Sequence, residues 1–500
     1  MSGRAIFGLL CLAALGLTLA TPIPALTDYP NHLARMALLA AERAGDPSPY
    51  YAASWGFYPN LAMDLIVPPL GRFMPIETAA RLFLLLAQVL LISGAMALEY
   101  AVKRRLQLSG FMALLALNAF PFARGFVNFE FGLGVTLWGV AGWIALREKG
   151  VVARFALHGV CVVALYLCHL FAFAAYGFTL GVYELWRGWR ARAPGPLAGE
   201  LALLAAPVAA GAALLGRGGA SGAAQQFDWA WAAKPLWPAV ALNGGDLLLA
   251  TLSLGGLILM VSRLRRAGAL RLESAGGFLA VGFAALYLVT PEKMQGAMYG
   301  SYMDVRVLAA AALILPAFIA VDWPDARVRR ALLGVMAGLV AANLLHTAWV
   351  WTSYRADYAA VIASFSKLER GKKVLVASAV EENPFRDQDI APLYHAPALA
   401  APYAKALVST LMADPGKQPL VARPPFARLN PQNAPLVSLD DLVGATRGAA
   451  LEEEAFRSWP RDYDYVYLIA APAQNPLPDL LEPLASERRF TLYRIRKPAG

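Results

Sequence analysis

The chain is short of charge, of cysteine and of histidine. Of its 500 residues 16% are charged, three are cysteine and five are histidine. A soluble globular protein is usually about a quarter charged, so an ordinary hydrated surface over the whole length is excluded. Cys11, Cys161 and Cys168 fall inside apolar runs with no C-x-x-C spacing. That argues against a disulfide framework or a cysteine metal site, and they read as small packing residues. No HExxH, Walker loop, GxSxG or GxGxxG in a βαβ setting occurs, so zinc peptidase, ATP-driven, α/β-hydrolase and dinucleotide chemistry lack support. The net charge of +10 comes without a basic patch interleaved with aromatics, and no nucleic acid partner is expected.

What is present is oil. The chain is 58% hydrophobic with a mean hydropathy of +0.49, and the apolar residues lie in runs long enough to cross a bilayer. This reads as a multi-pass integral membrane protein with about eleven spans. They lie near 5–22, 77–101, 109–122, 129–147, 152–168, 170–186, 199–216, 245–262, 274–290, 306–321 and 331–351. The third and fourth are interrupted by "LNAFPFARGFVNFEFGLG", which suits a short helical hairpin with a polar tip. With a cytoplasmic N-terminus, the short basic loops "KRR" (103–105), "REKGVVAR" (147–154), "RGWRAR" (187–192), "SRLRRAGALR" (262–271) and "DARVRR" (325–330) all fall on the cytoplasmic side, as the positive-inside rule requires. The longer loops, poor in Lys and Arg, then face outward. The first run reads as an anchor, with a cleaved signal peptide as the alternative.

After Tyr354 the texture changes. "KKVLVASAV" and "DYDYVYLIAA" read as buried strands, "RFTLYRIRK" as a final strand, and "DYAAVIASFSKLERG" and "PDLLEPLASERR" as helices. The expected organisation is an all-α transmembrane domain over 1–351, with a first external loop at 23–76, followed by an extracytoplasmic α/β domain over 352–500. No internal repeat is evident, which weighs against an inverted-repeat transporter.

Four polar constellations stand out from the apolar background. "LTDYPNHLAR" (26–35) sets Asp28 before Pro30 and a helix, with Asn31 available as a cap and His32 and Arg35 on one helical face. Asp28 is either a helix-start residue or a carboxylate poised to take a proton. "FPFARGFVNFEFGLG" carries Arg124, Asn128 and Glu130 in apolar surroundings, as an internal Arg124–Glu130 pair or as a functional acid. "TPEKMQGAMYGSYMDVRV" carries Lys293, Asp304 and Arg306, as an Asp304–Arg306 anchor or as a grip for phosphate. "QQFDWAWAAKPLW" (225–237), with Asp228 and Lys234, reads more readily as an interfacial aromatic belt. His158 and His346 read as structural, His169 lies at the end of a span, and His395 has no evident metal partner.

The layout, with one early span, a long external loop bearing an acid near its start, many further spans and an external C-terminal domain, resembles the GT-C superfamily of polytopic glycosyltransferases. "TDYPNHLAR", "FYPNLAMDLIVPPL" and "GFVNFEFGLG" are similar to a group of largely uncharacterised bacterial membrane proteins that look like GT-C members. The resemblance implies a transferase of the bacterial inner membrane that moves a sugar from a polyprenyl-phosphate-linked donor to an envelope lipid, glycan or protein acceptor. It implies Asp28 as base and Glu130 as a second acid, with Lys293 and Arg306 at the donor phosphate. His32, Arg35, Arg124, Asn128 and Asp304 complete the candidate substrate-binding set. Membrane lipids are the expected surroundings. Many relatives carry an adjacent acidic pair in the first loop, whereas Asp28 is followed by Tyr29, so no cofactor is implied with certainty and use of a divalent metal is left open. The readings weighed against it are a secondary transporter or flippase, and a non-catalytic envelope-biogenesis protein.

Overall fold

A computed structural model describes residues 3–192, 194–215, 225–243, 246–295, 300–323, 325–380, 391–451 and 453–497. The chain divides into two compact units. The first is Met1–Leu17, Leu84–Phe122 and Phe126–His346; the second is Thr18–Phe83, Ala123–Gly125 and Thr347–Gly500. The chain passes between the two units near residue 346. The segment 18–83 and the three residues 123–125, however, group by contact with the C-terminal residues.

The first unit is helical. Among the described residues of the whole chain, six helices are long and apolar enough to cross a membrane: Gly3–Ala20, Ile76–Lys103, Val127–Lys149, Val151–Cys168, Leu247–Arg266 and Ala326–Lys367. Shorter apolar helices cover Ser109–Ala123, Gly195–Ala210 and Ser274–Val289. The run expected at 306–321 is cut short. Its helix Met303–Ile314 gives way to a 3-10 turn Leu315–Phe318 and a short strand Ile319–Val321 that pairs with Leu270–Leu272. Pro316 sits in that turn, and its missing N–H and ring end the α-helical ladder. Small residues let the helices approach closely: a Cβ on Gly134 would stand 2.6 Å from Leu90 Cβ, and one on Gly132 2.6 Å from Ala172 Cβ. Such positions are typical of helix contacts in an apolar medium. Leu137, Trp143, Leu165, Tyr176, Leu180, Leu279 and Ile314 form part of the core between them.

The second unit is built on a mixed six-stranded sheet. Leu481–Ser486, Phe490–Ile495, Tyr465–Ile469, Lys373–Ser378 and Leu407–Val408 lie in that order, and Val437–Ser438 also pairs with Lys373–Ser378. The first two pairings are antiparallel and the rest parallel, with Tyr467 opposite Val376 and Leu492. Tyr465–Ile469 is buried throughout, as a central strand covered on both faces should be. The helix expected over "DYAAVIASFSKLERG" forms as Arg355–Ser364 with a 3-10 turn after it.

"PDLLEPLASERR" is a strand rather than a helix. Pro483 disfavours a helix interior but is tolerated on a sheet edge, and here it sits at a register shift opposite Tyr493. Residues 18–83 are stitched to the C-terminal residues by Tyr51–Ala53, which pairs antiparallel with Leu420–Ala422. The Tyr51 hydroxyl adds two bonds, donating to Val408 O at 3.2 Å and accepting Val408 N–H at 3.0 Å.

Candidate functional site

The segment around Asp28 folds as a helix start. Pro30 lies in the first turn of the helix Tyr29–Arg43, where its fixed φ is already helical and its missing N–H costs nothing. Asp28 occupies the position before the helix, yet its carboxylate makes no capping bond. Its backbone N–H donates to Arg124 O at 3.0 Å, and Thr27 N–H donates to Ala123 O at 3.0 Å. Gly125 makes this pairing possible. Its φ is +87°, and a Cβ there would stand 2.9 Å from Asp28 N and 3.0 Å from Asp28 Cβ, so only glycine fits both the conformation and the contact.

The expected role of Asn31 as cap is corrected. Asn31 is fully buried inside the helix and reaches away from it. Its Oδ1 accepts Met412 N–H at 2.8 Å, while its Nδ2 donates to Thr410 O at 2.6 Å and lies 3.2 Å from His395 Nδ1. The other nitrogen of His395, Nε2, is 3.5 Å from Asp28 Oδ1. His32 and Arg35 do share a face: Arg35 Nη2 stands 3.1 Å from His32 Nδ1. Arg35 is otherwise committed to Asp64, with Nε to Oδ1 at 2.7 Å and Nη2 to Oδ2 at 3.1 Å, both side chains fully buried.

Arg35 can only donate, so His32 Nδ1 accepts and Nε2 carries the proton, which is given to the Gly125 carbonyl. Burial, then the Arg35 charge and His395, push the His32 imidazole well below its usual range. Burial and the Arg124 charge push His395 down to about 4. Both rings are therefore neutral at pH 7. Burial pushes the Asp64 carboxyl up, and the Arg35 guanidinium opposes it. Within this cluster Asn31, His32, Arg35, Asp64, Arg124 and His395 are all buried. Asp28 is the partly open member, with 18% of its side chain exposed.

The other expected residues belong to the first unit. Asn128 and Glu130 are buried on the first turn of the helix Val127–Ala145, and Glu130 has no ion-pair partner among the described residues. The expected Asp304–Arg306 anchor is replaced by different partners. Asp304 Oδ2 accepts from Lys234 Nζ at 2.9 Å, both buried, and Lys234 also donates to the carbonyls of Tyr287 and Thr290. The Arg306 guanidinium lies over the rings of Phe126 and Phe171 at 4.3 and 5.1 Å, a cation–π arrangement. Lys293 is half-buried in a short strand, opposite Asp228. Among the described residues no group of three or more His, Cys, Asp or Glu is placed to hold a metal ion.

Sequence reasoning missed His395 and Asp64. Asp64 had a local signal, an acid inside the apolar run "LAMDLIVPPL". His395 had none, because its contact with Asn31 spans 364 positions.

Fold and site together describe a helical chain with membrane-length apolar segments, joined to an α/β unit that carries a buried polar cluster with one open carboxylate. The chain is similar to the apo crystal structure of ArnT from Cupriavidus metallidurans, with 14% identity, 98% of this chain and 97% of that chain covered, and a TM-score of 0.49. No protein-family model matches the sequence, and no curated protein matches it. At this identity and score the likeness assigns no activity.

Proposed function

We propose that the chain is a GT-C-type glycosyltransferase of the bacterial inner membrane. It moves a sugar from a polyprenyl-phosphate-linked donor to an envelope lipid, glycan or protein on the extracytoplasmic side. The observation that carries this reading is the placement of Asp28: a carboxylate with solvent access among polar groups that are otherwise buried, 3.5 Å from His395 Nε2. A base needs that access.

In the proposed reaction Asp28 takes the proton of an acceptor hydroxyl as its oxygen attacks the anomeric carbon. The bond to the donor phosphate breaks, and the lipid phosphate leaves with the electron pair. Glu130 is the second acid of the proposal, and Lys293 and Arg306 supply positive charge to the leaving phosphate. Arg35 has a different task. Its bonds to Asp64 and His32 make it a brace for the helix that carries the site rather than a phosphate ligand.

The test is mass spectrometry of envelope glycans and glycolipids from cells with the wild-type chain, without it, and with Asp28→Asn at equal membrane level. The expected result is a species that needs the chain and disappears with Asp28→Asn. Full production by that variant removes Asp28 as base, and no chain-dependent species removes the transferase reading.

A further inference from the structure

The fully buried amide of Asn31 has a fixed orientation. Its Oδ1 must face a donor, because it accepts Met412 N–H, and its Nδ2 must face acceptors, because it donates to Thr410 O. The second Nδ2 hydrogen is then directed at His395 Nδ1, which can only accept it. This fixes the tautomer: the imidazole proton sits on Nε2, the nitrogen facing Asp28 Oδ1. Two backbone groups near residue 410 thus determine which face of His395 meets Asp28.

The segment that carries His395 is well suited to hold a ring still. His395 sits between two 3-10 turns, Ala391–Leu393 and Ala396–Leu399, and residues 391–400 are buried throughout. Tyr358 Oη ties the first turn down, donating to Pro392 O at 2.7 Å. The groups facing His395 are Asp28, Asn31, His32 and Arg124.

We propose that His395 is a positioning residue for Asp28: its Nε2–H, aimed by Asn31, holds one carboxylate oxygen so that the other faces the acceptor hydroxyl. The inference rests on the reading of Asp28 as base. A neutral imidazole can orient a carboxylate oxygen through a single N–H without adding a full charge beside it. The C-terminal region thereby supplies part of the site.

The test uses the full chain in its membrane, comparing wild type, His395→Phe and His395→Gln. Phe keeps the ring volume and removes both nitrogens; Gln keeps one N–H donor and one acceptor. Two readouts are taken: the chain-dependent envelope species, and carbodiimide tagging of Asp28 at pH 7 by peptide mass spectrometry, which reports the protonated carboxyl. With Phe the species is expected to fall at least about tenfold and tagging to rise about two- to tenfold, the range for losing one hydrogen bond. Gln is expected to restore most of both. The unfolding midpoint identifies a Phe variant that fails to fold, and the Gln variant then decides through tagging. Tagging of the folded Phe variant equal to wild type overturns the role of His395, as does a folded Gln variant tagged as fast as denatured protein. Altered tagging without any chain-dependent species in wild type supports the His395 contact and sinks the transferase reading instead.

Discussion

Arg35 and Asp64 form a two-bonded ion pair with no solvent exposure on either side chain, Nε to Oδ1 at 2.7 Å and Nη2 to Oδ2 at 3.1 Å. The pair ties the helix Tyr29–Arg43 to Ala62–Leu70, and through His32 it touches the polar cluster around Asp28. Removing one partner leaves a buried charge without compensation, which costs about 3–5 kcal/mol. Asp64→Ala should therefore lower the unfolding midpoint sharply in detergent. Arg35→Met combined with Asp64→Leu should recover much of the loss, because it buries no charge. A double variant as unstable as the sum of the single ones would show that the two residues do not act as a pair.

Gly125 and Asp28 are pressed together at the backbone. Gly125→Ala places a methyl 2.9 Å from Asp28 N in a conformation at φ +87°. Strain of this kind costs on the order of 1–3 kcal/mol, and the least costly relief is to break the Asp28 N–H bond to Arg124 O. The variant should assemble in the membrane yet lose about tenfold or more of any Asp28-dependent product, measured on the same envelope extracts. Undiminished product would show that the carboxylate position does not depend on this contact.

Much of this fold was legible along the chain. Pro30 and the apolar spacing after it marked the helix at 29–43. The β-branched and aromatic runs around Val376, Tyr467 and Leu492 marked three strands that form. What could not be read depends on contacts between distant positions. Periodicity reports which face of a local element is apolar, not which distant backbone it meets. Nothing near Tyr51 names Leu420–Ala422 as its partner strand, and nothing near Asp28 points to His395. Asn31 shows the same limit: its side chain suits a helix cap, and a tertiary acceptor at Thr410 O and a tertiary donor at Met412 N–H outcompeted that local use. Glu482 and Pro483 misled because a charged edge strand with a proline resembles a helix start in composition.

The neutral imidazoles make stability depend on acid. His395 titrates at about 4 in the folded chain and at about 6.5 when unfolded. As pH falls from about 6.5 to about 4, the unfolded state takes up a proton that the folded state refuses, so stability falls; below about 4 the term is constant. The full loss is on the order of 3 kcal/mol, and His32, also shifted down by burial, adds in the same direction. His395→Gln removes one titrating group, so its unfolding midpoint should drop less than wild type between pH 6.5 and 4. Parallel pH curves for the two proteins would show that His395 is not held neutral by the fold.

The sidedness proposed from the positive loops has a direct test. Thr446 is exposed at the end of the helix Leu439–Thr446 in the second unit, while Cys161 and Cys168 are buried and Cys11 lies within the apolar helix Gly3–Ala20. Thr446→Cys in a background with these three cysteines replaced gives a single reactive thiol outside the membrane-length helices. If Lys and Arg mark the cytoplasmic loops, the second unit is extracytoplasmic. An impermeant maleimide should then label that thiol in cells whose outer barrier has been opened and whose inner membrane is intact. Labelling that appears only after the inner membrane is lysed would invert the topology. It would also put Asp28 in the cytoplasm, because Thr18–Phe83 and Thr347–Gly500 group in one compact unit.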